Sequence, residues 1–139
     1  MTQILEDINS CNILKLEQLL ARSRNTVIVT HMKPDGDAAG STTAMYHFLK
    51  RFGVGDLKIV LNDPYQHVLQ FLVNEETRKD ILTYSENPDA AADAIAAADT
   101  IICLDFNAVH RTDRLSSYLE TSTAVKVLID HHLNPDTDK

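Results

Sequence analysis

Three short apolar runs, each followed at once by a histidine or an aspartate, constrain this chain more than any other feature. Residues 26–30 read Thr-Val-Ile-Val-Thr and lead into His31; Thr100–Leu104 lead into Asp105; Val125–Ile129 lead into Asp130, His131 and His132. The first run, β-branched throughout, suits a strand buried on both faces of a parallel sheet. The other two, and residues 57–61, also read as strands. Between the runs lie helical patterns at 38–52, stopped by Gly53, then at 65–73, 88–98 and 111–120. The alanine bias of 88–98 reflects helix propensity. An amphipathic pattern at 3–22, with a break near 9–12, precedes the first strand. Strands alternating with helices imply an α/β fold, a mostly parallel sheet with helices on both faces. No linker, repeat or internal domain boundary interrupts the 139 residues.

Charge narrows the partners. Thirteen Lys and Arg stand against 20 Asp and Glu, a net charge of −7. A duplex-binding surface displaces counterions with a basic stripe, and none is visible. Duplex DNA is therefore not an expected partner; a nucleic-acid substrate would be short and held at one local site. No apolar run approaches the ~18 residues of a membrane span, and Glu6 and Asp7 stand where a signal peptide carries basic residues. The expectation is a soluble cytoplasmic protein with no membrane partner. Cys11 and Cys103 show no pairing pattern and are expected to be buried thiols.

The polar residues after the strands are where chemistry is expected. In an open parallel sheet, ligands bind outside the carboxyl ends of the strands. His31, Asp35 and Asp37 follow the first strand, Asp105 a later one, and Asp130, His131 and His132 the last. If these strands are neighbours, several carboxylates converge on one crevice and repel each other. Two divalent cations would balance them. Carboxylates with neutral imidazoles suit manganese or a similar ion better than a thiolate zinc site. A carboxylate bridging two ions ~3.5–4 Å apart sets up in-line displacement at phosphorus, and Asp105, alone at its strand end, is the natural bridge. Gly36 permits a tight turn, and Ala38, Ala39, Gly40 and Ser41 open a helix with little bulk, which would let a phosphate approach its N-terminus. Asp37 has two readings, metal ligand or N-cap of that helix.

Residues 29–41, Val-Thr-His-Met-Lys-Pro-Asp-Gly-Asp-Ala-Ala-Gly-Ser, resemble the first motif of the DHH phosphoesterases. Leu104-Asp105-Phe106-Asn107 resembles the second, and Asp130-His131-His132 is the triplet that names the family. The resemblance implies that His31 and Asp35 bind one metal, that Asp37 and His131 bind the other, and that Asp105 bridges both. It implies that Asp130 supports the site from behind and that His132 contacts the substrate phosphate. Arg111 stands where relatives often place a substrate-side arginine, and Ser41 where the first helix meets the phosphate. The catalytic set implied is His132, Asp105 and Arg111. The family's fourth aspartate motif and its C-terminal substrate-binding domain have no counterpart here, and Asp136 and Asp138 follow the triplet too closely to serve. The chain is thus expected to be the N-terminal part of the catalytic domain.

The activity implied is manganese-dependent hydrolysis of short single-stranded oligoribonucleotides, of 3′-phosphoadenosine 5′-phosphate, or of both. Cyclic or linear dinucleotide hydrolysis is one alternative. A metal- or nucleotide-binding module without turnover is another. Inorganic pyrophosphatase and single-strand DNA exonuclease branches match the first motif less well. A homodimer is compatible with this reading. Outside the constellation, His47 and His67 read as surface or packing histidines, His110 as a neighbour of Arg111, and Tyr65 as a turn and packing residue. Asp93 and Asp99 read as solvated helix residues, and Asp113 with Arg114 as a surface pair.

Overall fold

The computed structural model describes residues 10–132. Five strands form one parallel sheet in the order β3-β2-β1-β4-β5. They are β1 (Asn25–Val29), β2 (Asp56–Leu61), β3 (Ile81–Thr83), β4 (Thr100–Leu104) and β5 (Val125–Ile129). Every adjacent pair is parallel, with Val29 opposite Val60 on one side and Cys103 on the other. The α-helices are α1 (Ser10–Arg22), α2 (Gly36–Phe52), α3 (Glu75–Lys79), α4 (Pro88–Ala97) and α5 (Ser116–Thr121).

Period-two alternation divides the core between the two faces. Ile28, Ile59, Ile102 and Leu104 pack with Leu20 of α1 and Ala39, Tyr46 and Leu49 of α2. Val27, Val29, Val60, Ile101 and Cys103 pack on the opposite face with Ala91 and Ile95 of α4 and Leu119 of α5. The central strands are apolar over Val27–Val29, Ile59–Leu61 and Ile101–Leu104 because both faces are covered there, and their polar residues lie toward the amino ends. This is the α/β sheet with helices on both sides that the strand–helix alternation implies.

Several elements differ from the sequence expectation. Residues 3–9 of the first helical pattern lie outside the described residues, and α1 runs from Ser10. Helix α2 begins at Gly36 rather than Ala38, and its N-cap is Asp35, whose side chain accepts from Ala38 N. Gly53 closes it in the left-handed conformation (φ 90). The helix expected at 65–73 is a 3-10 helix, His67–Leu72. The helix expected at 111–120 is a 3-10 helix over Val109–Leu115 followed by α5, with a break at Asp113 (φ 53, ψ −115). The short α3 and β3 carry too few apolar residues for periodicity to reveal them; Asn74 caps α3 and β3 extends the sheet beyond β2.

Two side-chain readings also change. Cys11 is exposed on α1, whereas Cys103 is buried. Asp99 is exposed as expected, but it lies past the end of α4 and clamps the amino ends of β1 and β4. Its carboxylate accepts from Ser23 Oγ (2.6 Å), Arg24 N (2.7 Å), Asn25 N (3.2 Å) and Thr100 Oγ1 (3.1 Å).

Candidate metal centre

The chain leaves β1 toward β2 and β3 on one side and later builds β4 and β5 on the other, so the order reverses between β1 and β4. A crevice opens outside the carboxyl ends at such a point. His31 stands just past β1, Asp105 just past β4, and Asp130 to His132 just past β5. Thr30 joins the first two strand ends by donating its hydroxyl to Leu104 O (2.8 Å).

His31 is buried, and its Nδ1 lies 2.7 Å from Met32 O. A carbonyl only accepts, so Nδ1 carries a proton, and Nε2 is the nitrogen turned to the carboxylates. Nε2 faces Asp35 Oδ1 at 3.7 Å and Asp105 Oδ2 at 3.6 Å. These separations are too long for hydrogen bonds. They suit donors arranged around one divalent ion, whose N and O ligands at about 2.0–2.2 Å stand about 3–4 Å from one another. Asp35 is held in place by Ala38 N–H (3.0 Å). That hydrogen bond, helped by His31, lowers its carboxyl below the usual range against the opposing effect of burial.

Asp105 is buried and adopts a left-handed backbone (φ 62), which aspartate tolerates better than most residues. Its N–H still reaches Ile129 O at 3.2 Å, so the turn comes as β4 ends beside β5. Its second oxygen, Oδ1, lies 2.9 Å from His131 Nε2. The Asp130 side chain is almost fully enclosed, at 1% exposure. It accepts from His132 Nδ1 (2.5 Å) and His132 N (3.2 Å), which leaves His132 Nε2 unengaged by that contact.

Two groups of donors therefore lie close enough to hold an ion: His31, Asp35 and Asp105, and Asp105, Asp130, His131 and His132. Asp105 belongs to both. The donors are hard oxygens and imidazoles. The Cys103 thiol, pushed up to about 12 by burial, stays protonated and is no competitor. The residues present fit a divalent ion.

The remaining sequence candidates fall outside these groups. Asp37 is an exposed residue in the first turn of α2; the capping role considered for it belongs to Asp35. Ser41 turns its hydroxyl back onto Ala38 O (3.2 Å). The open helix start proposed for phosphate is partly engaged by Asp35, which takes Ala38 N with its side chain and Ala39 N with its carbonyl. Arg111 is half-buried in the 3-10 helix, and its carbonyl receives Met32 N–H at 2.7 Å. His47, His67 and His110 are exposed and outside both groups. Tyr65 is buried with its hydroxyl on Thr42 Oγ1, a packing role; burial pushes the phenol up to about 12.

Sequence reasoning missed Asn62. It is buried just past β2, at the same edge as the motif residues, and it bonds Asp63, Asp113 and Arg114. Asp113 and Arg114 are both exposed, as expected, but each also bonds Asn62, Asp113 through its carboxylate and Arg114 through its backbone N–H. The available signal was a buried polar residue at a fourth strand end, hidden because Asn-Asp-Pro reads as an ordinary turn.

Residues 25–139 match the DHH family, N-terminal domain. The chain belongs to that family. It is also similar to a crystal structure of an exopolyphosphatase-related protein from Bacteroides fragilis, with a TM-score of 0.86 and 34% identity. That match covers 99% of this chain and 38% of the other, so this chain spans well under half the length of that protein. Comparison with curated protein sequences gives no match. Among the described residues no helix is long and apolar enough to cross a membrane.

Proposed function

We propose that this domain binds two divalent ions, manganese foremost, and serves phosphoester hydrolysis on short oligoribonucleotides and 3′-phosphoadenosine 5′-phosphate. The observation that carries the reading is Asp105, which presents Oδ2 toward His31 and Oδ1 toward His131 from one buried carboxylate. In this reading His31 and Asp35 hold one ion, Asp37 and His131 the other, and Asp105 both. Bound ions of this kind polarise a phosphate and make water a stronger nucleophile.

The chain's own residues supply the rest. Asp130 fixes the His132 ring through Nδ1, so Nε2 is free to meet a phosphate oxygen and, when protonated, to stabilise its developing charge. Arg111 adds a cation on the strap beside Met32. The same reading makes the chain the N-terminal part of a catalytic domain, with weak turnover expected from it alone. One finding favours a second substrate class, inorganic polyphosphate: the structurally similar protein is described as exopolyphosphatase-related.

The test incubates this chain and an Asp105→Asn variant with a 5′-labelled RNA dinucleotide, 3′-phosphoadenosine 5′-phosphate, or polyphosphate, with manganese or with chelator. Manganese-dependent release of mononucleotide or phosphate from the nucleotides, lost in the variant, supports the first reading. Phosphate released from polyphosphate alone moves the assignment to the second. Manganese uptake without any product makes this chain a binding module. Absence of manganese uptake overturns the proposal.

A further inference from the structure

The metal-binding edge is braced by residues that touch none of the donor groups. Three non-glycine residues among those described have positive φ: Lys33 (48), Asp105 (62) and Asp113 (53). All lie at the carboxyl edge of the sheet, and left-handed backbone at such residues is held only where the surroundings impose it. Asp105 follows β4 directly. The other two are linked through Asn62, Asp113 directly and Lys33 by way of Asp63.

Asn62 is buried at 3% exposure, and its side-chain amide is fully used. Its Nδ2 donates to Asp63 Oδ2 (2.9 Å) and to Asp113 Oδ2 (3.3 Å), and its Oδ1 accepts from Arg114 N (3.1 Å). Asp63 Oδ2 in turn accepts from Lys33 N (2.9 Å). One amide thereby ties the end of β2 to the turn after β1 and to the 3-10 strap. The strap carries Arg111, whose carbonyl takes Met32 N–H at 2.7 Å, while Met32 O takes His31 Nδ1 at 2.7 Å. The Met32–Lys33 turn is gripped from both sides, and the His31 ring is referenced to it.

We propose that Asn62 is a positioning residue for the metal centre: through Asp63 and the 3-10 strap it holds the Met32–Lys33 turn, and so fixes the tautomer and direction of the His31 imidazole. Carbonyl partners that orient a ligand histidine typically govern metal affinity by 10–100-fold. Asn62 acts one step further back, by fixing the carbonyl. The proposal rests on the reading of His31 as a metal ligand, but its first readout does not.

The test is nitrogen-15 NMR of the histidine rings in the metal-free chain, with the His31 signals assigned from a His31→Gln variant, followed by manganese titration. The wild type is expected to show His31 protonated at Nδ1. Asn62→Ala is expected to show a mixture of tautomers and about tenfold or more weaker manganese binding. If Asn62→Ala does not fold, Asp63→Ala removes the same grip on Lys33 from a partly exposed turn, and the same changes are expected. A folded variant with an unchanged His31 tautomer and manganese affinity within twofold of wild type overturns the proposal. Absence of manganese binding in the wild type would sink the metal reading, and the tautomer would still decide the clamp.

Discussion

His31 Nε2 faces Asp105 Oδ2 at 3.6 Å, with the proton of the ring held on the far side by Met32 O. An imidazole nitrogen and a buried carboxylate oxygen facing one another across that gap, with Asp35 beside them, form a donor set suited to a cation. Manganese is therefore expected to stabilise the folded chain, because it binds the folded form alone. At about 100 times its Kd it should add about 2.7 kcal/mol, a rise in Tm of roughly 5–12 °C for a domain of this size. Asp105→Asn should lose that rise. Asparagine is the proper replacement, since it tolerates the left-handed backbone at this position. Thermal melts followed by circular dichroism, with and without manganese, check this; a wild-type Tm indifferent to the metal would rule the site out.

The two ions should not bind alike. His31 and Asp105 are buried and Asp35, although 62% exposed, is anchored on Ala38 N, so the first donor set is largely built before metal arrives. On the other side His131 is 64% exposed and Asp37 lies outside both donor groups. Ordering those side chains costs conformational entropy. Isothermal titration with manganese should resolve two unequal events, the first at least about tenfold tighter, since a difference of about 1.4 kcal/mol suffices. Asp37→Asn should remove only the weaker event and Asp35→Asn should weaken the stronger. Two identical sites would contradict this assignment.

The legibility of the sequence followed the physics of each element. Thr100–Leu104 and Val125–Ile129 appear in the structure with the bounds read from the sequence; β4 is buried at every position and so almost wholly apolar, whereas β5 is an edge strand that carries Lys126. The convergence of His31, Asp105 and Asp130 to His132 was legible because strand ends in a parallel sheet share an edge. The start of α2 was misjudged because Asp35 and Asp37 are equally good caps by residue type, and only the backbone decides between them. The pattern at 111–120 reads as regular helix because the kink at Asp113 is held from outside, by Asn62. Such tertiary hydrogen bonds leave no periodicity in a sequence.

Two glycines should respond oppositely to alanine. A Cβ on Gly55 would collide with Arg24 O, which already accepts Asp56 N–H at 2.8 Å where β1 and β2 begin. Backbone cannot give way there without loosening the strand pair, so Gly55→Ala should cost about 1–3 kcal/mol. Gly40 lies inside α2 with nothing within 4 Å of an added Cβ. Gly40→Ala should stabilise the metal-free chain by about 0.5–1 kcal/mol through helix propensity alone. Urea denaturation midpoints of the two variants measure both effects, and a stable Gly55→Ala would contradict the close approach.

Acid sensitivity should concentrate on Asp80. Burial pushes its carboxyl up, but hydrogen bonds from Lys58 Nζ (2.8 Å) and Tyr46 Oη (2.6 Å), with Lys50 close by, outweigh that and hold it below the ordinary 3.8. A depressed carboxylate stabilises fully above its unfolded value, and that share is lost as pH falls from 3.8 through the folded value. The partner has the opposite sign. The hydrogen bond to Asp80 raises Lys58 above 10.5, despite burial, so its share is present below 10.5 and lost as pH rises through the raised value. Asp80→Asn should therefore lower stability near neutrality and flatten both limbs of a Tm-against-pH profile. Asp99, also held below 3.8 by Ser23 and the Arg24 and Asn25 amides against the effect of burial, should preserve part of the acid limb in that variant. An acid limb as steep in Asp80→Asn as in the wild type would show that the Lys58–Asp80–Tyr46 cluster contributes nothing to acid stability.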